Sequence, residues 1–76
     1  MREITIPLRE GFIELNKLLK LADCADSSGR GKQLVEEGLV TVDGQPESRK
    51  RAKIREGQIV ECMETRISVT APEKTD

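Results

Sequence analysis

The chain has no histidine, no tryptophan and no tyrosine, and Phe12 is its sole aromatic residue. Without histidine the commonest general base is missing, and with it the Cys-His and Ser-His pairs of nucleophilic catalysis. Carboxylates are plentiful, 14 in all, but none stands in a recognisable catalytic pairing, so the chain does not read as an enzyme. The two cysteines, Cys24 and Cys62, fall short of the four soft ligands of a structural zinc site, and neither a metal nor another cofactor is expected. They read as reduced thiols in or near a core. No apolar run approaches the roughly 20 residues that cross a bilayer. The N-terminal stretch MREITIPLRE carries acidic residues and no apolar h-region, so it does not read as a signal peptide. These absences point to a cytoplasmic protein.

What is present is charge and a periodic apolar pattern. A chain of 76 residues makes one domain, and at this size folding buries only about 60% of the unfolded surface, so the core has to be simple. Charged and apolar residues each make up 36%, and the apolar ones recur at regular intervals, which favours a folded domain over disorder.

Ile4, Ile6 and Leu8 alternate with polar neighbours and predict a strand over residues 3–8, placed at a sheet edge by Pro7, which has no ladder donor. From Phe12 to Ala22 the spacing of Phe12, Leu15, Leu18, Leu19 and Ala22 is helical, with Asn16, Lys17 and Lys20 on the opposite side. A second helix is predicted from Ser27 or Ser28, both good N-caps, to Gly38, suited to the left-handed position that closes a helix. Gly31, Leu34 and Val35 share its apolar face, and Gly31 is tolerable there if another backbone comes close. Residues 39–42 predict a strand, Asp43-Gly44 a type I′ hairpin turn, and Pro46 a short return strand at an edge. Further strands are expected over 58–62, anchored by Ile59 and Val60, and over 66–70, where Ile67 and Val69 share a face. Residues 71–76 are expected to be a disordered tail. Together these elements predict an α+β domain, two helices packed on a small antiparallel sheet.

Charge is segregated along the chain. Between residues 30 and 55 seven basic residues (Arg30, Lys32, Arg49, Lys50, Arg51, Lys53 and Arg55) face four acidic ones, a local charge of +3, while the remainder carries −4. A basic patch on an otherwise acidic small protein is a candidate polyanion site. Arg30 and Lys32 stand near the positive end of the second helix dipole, where cations are disfavoured unless an anion joins them. The amides of Ser28, Gly29 and Arg30 would supply donors for that anion. The plainer reading pairs Lys32 with Glu36, and Arg30 with Gln33 or Glu37, as solvated helix pairs. For the run Arg49-Lys50-Arg51-Ala52-Lys53 the plainer reading is a solvated surface.

The stretches Leu15-x-x-Leu18-Leu19-Lys20-Leu21-Ala22, Ser27 to Gly38, Leu39-Val40-Thr41-Val42-Asp43-Gly44 and Glu47-Ser48-Arg49-Lys50-Arg51, in this order and spacing, carry a family resemblance. The chain resembles the RNA-binding domain named for small-subunit ribosomal protein S-four, also called the alpha-L motif, and its small stand-alone bacterial members, the YbcJ-like proteins. The resemblance covers about residues 12–60. It implies a stand-alone RNA-binding protein, domain 1–70, that meets structured RNA of the ribosomal or transfer RNA class, alone or in a ribosome-associated complex. Matched by position, Ser28, Gly29, Arg30 and Lys32 fall in the family's helix contact segment, and Arg49, Lys50, Arg51 and Lys53 in its basic hairpin segment. Gly31 stands where the family usually has alanine. The competing reading is a protein-interaction module whose basic patch meets an acidic protein surface.

Overall fold

The computed structural model describes residues 2–72. In chain order the elements are β1 (Arg2–Pro7), β2 (Ile13–Glu14), α1 (Leu15–Leu21), α2 (Ser28–Glu36), β3 (Val40–Val42), β4 (Gln45–Pro46), β5 (Lys53–Ile54), β6 (Ile59–Cys62) and β7 (Thr65–Thr70). They form an α+β domain in which the two helices pack against a five-stranded sheet of order β1-β7-β6-β3-β4, with β2 and β5 making a separate two-stranded ribbon. The sheet is mixed rather than wholly antiparallel, because β1 runs parallel to β7, from Arg2 opposite Thr65 to Pro7 opposite Thr70. Parallel neighbours need a long crossover. Here the crossover is the rest of the domain, which joins the first strand to the last.

Both edge assignments follow from proline: β1 and β4 are the outer strands and contain Pro7 and Pro46. The β3–β4 hairpin turns at Asp43 and Gly44, with φ of 51° and 80°, the two left-handed residues of a type I′ turn. The Asp43 side chain accepts from the amide of Ile59 at 2.9 Å and so ties the turn to β6. In β6 it is Val60 and Cys62 that are buried, whereas Ile59 points outward at 39% exposure. Ile67 and Val69 of β7 are both buried. Ala71 and Pro72 are exposed and lie outside any element; residues 73–76, the rest of the expected tail, lie outside the described residues.

The first helix is shorter than its apolar period suggests. Ile13 and Glu14 are extended and pair with Ile54 and Lys53, and α1 begins only at Leu15. Its opening amides have no side-chain cap. They are satisfied by the backbone of the basic run: the Leu15 amide donates to the Ala52 carbonyl at 2.9 Å and the Asn16 amide to the Lys50 carbonyl at 3.1 Å. Phe12 therefore precedes the helix instead of lining its apolar face. Asn16, expected in solvent, is buried at 3% exposure.

The second helix keeps its predicted ends. Ser27 is the N-cap, its hydroxyl accepting from the Arg30 amide at 3.1 Å. At the other end Gly38 has φ 76°, its amide donates to Val35 and the Leu39 amide to Leu34, the double bond of a Schellman motif. A Cβ at Gly31 would lie 2.7 Å from the Asn16 carbonyl oxygen. The two helices meet there with no room for a methyl group.

Candidate nucleic-acid interface

The basic run is held by what lies on either side of it. Glu47 follows β4, and its carboxylate accepts from both the backbone amide and the guanidinium of Arg49, at 3.0–3.3 Å. The Arg49 guanidinium and amide hold the Glu47 carboxyl below its ordinary value. Lys50 then forms an ion pair with Glu36 on α2, while its carbonyl receives the Asn16 amide. One residue thus joins the run to both helices.

The chain is extended at Lys53 and Ile54, whose side chains point to opposite faces. Ala52 and Ile54 are buried at 6% and 1% exposure, whereas Arg51, in the turn before the strand, and Lys53 and Arg55 are all exposed. Arg49, Arg51, Ala52 and Lys53 border an open depression of about 540 Å³. Arg55 is oriented through its amide, which donates to the Gln58 side chain at 2.7 Å.

The sequence-predicted residues divide into two groups. Arg49 is paired with Glu47 and Lys50 with Glu36, and Arg30 approaches Glu37 at 4.0 Å. Lys32, Arg51 and Lys53 have no carboxylate partner among the described residues. Lys32 therefore does not form the pair with Glu36 of the plainer reading; Glu36 pairs with Lys50 instead. At the N-terminus of α2, Ser28 is half-buried and Gly29 exposed, but the Arg30 amide is already used by the Ser27 cap. The three donors anticipated for an anion reduce to the amides of Ser28 and Gly29.

Two residues absent from the sequence-derived site stand beside it. Arg55 continues the row of Arg51 and Lys53 and likewise has no carboxylate partner among the described residues. Its signal was available in the strict alternation of cations with Ala52 and Ile54. Phe12 lies under that row, with the Lys53 ammonium 4.9 Å and the Arg55 guanidinium 5.9 Å from its ring centroid. No local pattern announces this contact, because it depends on the pairing of β2 with β5.

Comparison with known proteins places this arrangement in context. The S4 domain family matches over residues 6–70. YbcJ of Escherichia coli (strain K12) is 42% identical over 59 residues, covering 78% of this chain and 84% of that protein. YbcJ of Shigella flexneri matches to the same extent. The solution structure of YbcJ from E. coli, described as revealing an alfaL motif involved in RNA-binding, superimposes with a TM-score of 0.67 at 37% identity, covering 93% of this chain and 89% of that one.

Proposed function

The chain belongs to the S4 domain family, an RNA-binding rather than an enzyme family, and from that premise we propose that it binds structured RNA through the first turn of α2 and the outer face of residues 49–55. The observation that carries this reading is the set Arg51, Lys53 and Arg55, three exposed cations that alternate with the buried Ala52 and Ile54 and have no carboxylate partner among the described residues. Such a set suits a phosphate backbone, whose charge dominates affinity for nucleic acids. Ser28, Gly29, Arg30 and Lys32 extend the surface along α2. Arg49 and Lys50, paired to Glu47 and Glu36, shape the surface and join it when the RNA phosphates compete for them. The RNA belongs to the ribosomal or transfer RNA class, the domain spans residues 1–70, and the protein works in the cytoplasm, alone or within a ribonucleoprotein complex.

The test is titration of a fluorescently labelled RNA hairpin at several salt concentrations. With about four cations on phosphates, log affinity falls against log salt with a slope of about −3 to −4. A slope near zero, together with retention on ribosomal fractions after nuclease treatment, overturns this reading in favour of an acidic protein partner.

A further inference from the structure

We propose that Phe12, together with the groove beside it, is a stacking site for one unpaired base of the bound RNA, with Lys53 and Arg55 taking the adjoining phosphates; this rests on the RNA-binding reading above. Phe12 is half-buried and forms the boundary between the cationic row and an apolar groove of about 570 Å³ walled by Leu8, Phe12, Ile13 and Leu21. That volume is in the range of small-ligand sites. Leu21 is 62% exposed at the end of α1, an apolar side chain left in water next to the chain's sole aromatic ring.

The electrostatics select the occupant. The groove's own rim is close to neutral: Lys17 is held by Glu14 at 3.6 Å, and Arg9 and Glu10 both border it. Lys53 and Arg55, which stand over the ring itself, have no carboxylate partner among the described residues. An apolar peptide side chain in the groove would leave those cations unanswered. A nucleotide matches both features, since its base presents a flat apolar face and its phosphate a negative charge. In the free protein the cations rest over the ring, a contact that is weak at an exposed site. When a phosphate draws them away, the ring is uncovered and a base replaces them. Sequence-tolerant stacking of this kind is how splayed-out bases are held on aromatic side chains. The preferred RNA is then a folded one carrying a bulged or looped-out nucleotide.

The experiment compares two labelled RNA hairpins that differ only by a single-adenosine bulge, titrated with the wild-type protein and with the Phe12→Leu, Phe12→Tyr and Lys53→Gln/Arg55→Gln proteins. Wild type binds the bulged hairpin about tenfold more tightly than the paired one. Phe12→Leu keeps the apolar volume and loses that preference, Phe12→Tyr keeps the ring and retains it, and the double Gln protein binds both RNAs more weakly. Equal binding of the two hairpins by wild type, or an undiminished preference in a Phe12→Leu protein with native circular dichroism, overturns the stacking site while RNA binding stands. Failure of wild type to bind either hairpin overturns the RNA-binding reading together with this inference.

Discussion

The five-stranded sheet and the β2–β5 ribbon both carry cations, and they treat them in opposite ways. In the sheet, Arg66 lies between Glu3 at 3.6 Å and Glu61 at 4.0 Å, and the Arg2 guanidinium donates to the Ala22 carbonyl at 2.9 Å. In the ribbon and its flanks, Arg51, Lys53 and Arg55 meet no carboxylate among the described residues. Exposed ion pairs contribute little to stability, so the contrast bears little on folding. The two regions thus differ in whether their cations are answered by carboxylates within the fold. Beneath the exposed cations Ala52 and Ile54 are buried, and the carbonyls of Lys50 and Ala52 cap α1.

The sharpest way to break this comparison is charge reversal on each side of it. Changing Arg51, Lys53 and Arg55 together to Glu should lower affinity for a hairpin RNA by about two orders of magnitude or more, since three charge-assisted contacts are lost and repulsion replaces them. Arg66→Glu should leave that affinity close to the wild-type value. Circular dichroism should remain native in the triple variant, because all three side chains are exposed. Equal losses for the two proteins would mean that binding follows overall charge and not the ribbon.

The next effect concerns the support under the ribbon. Gly31→Ala places a methyl group against the Asn16 carbonyl, at 2.7 Å without relaxation, and Asn16 is the residue whose amide holds Lys50. A denaturant melt should show a loss of about 1–3 kcal/mol, against a gain of up to about 1 kcal/mol that Ala brings in helix propensity. A more stable Gly31→Ala protein would show that the helices can move apart freely, and the ribbon would then not be rigidly held.

A smaller effect belongs to the sheet alone. Burial, with the neighbouring Cys24 thiol, pushes the Cys62 thiol up to about 11 from its ordinary 9.0. Because the folded protein holds the proton more tightly, stability is fully present below pH 9.0 and declines as pH rises toward about 11. Near pH 10 the loss should be about 1 kcal/mol. Melts across this range should show the decline in wild type and its absence in Cys62→Ala. RNA binding corrected for the folded fraction should be indifferent to that substitution.

The smallest effect tests whether α2 belongs with the ribbon. Lys32→Ala should weaken binding to all RNAs alike, by a few-fold, and reduce the salt slope by about 1. Its melting temperature should hold or rise slightly, as Lys32 has no carboxylate partner among the described residues and Ala favours a helix. A marked loss of stability with RNA affinity intact would return Lys32 to a structural role.

The amino-acid sequence by itself determined whatever depends on a few neighbouring residues. Ser27 caps α2, Gly38 closes it, Asp43-Gly44 makes the type I′ turn, and Pro7 and Pro46 mark the sheet edges, because each acts through its own dihedral angles or through a hydrogen bond a few residues away. The location of the basic run was legible directly from its residues, whereas the close approach at Gly31, open in the sequence as a condition for its being tolerated, is a contact with Asn16 on the other helix. Tertiary structure alone decided what depends on partners far along the chain. The helical spacing from Phe12 onward is real, yet pairing with β5 and capping by Lys50 and Ala52 hold residues 13–14 extended. The parallel match of β1 with β7 joins the two ends of the fold, and no local signal reports it. Which cations find a partner was settled in the same way: Glu36 pairs with Lys50 instead of Lys32, a carboxylate on α2 reaching a lysine far along the chain. That choice is made only when the helices, the ribbon and the run come together in space.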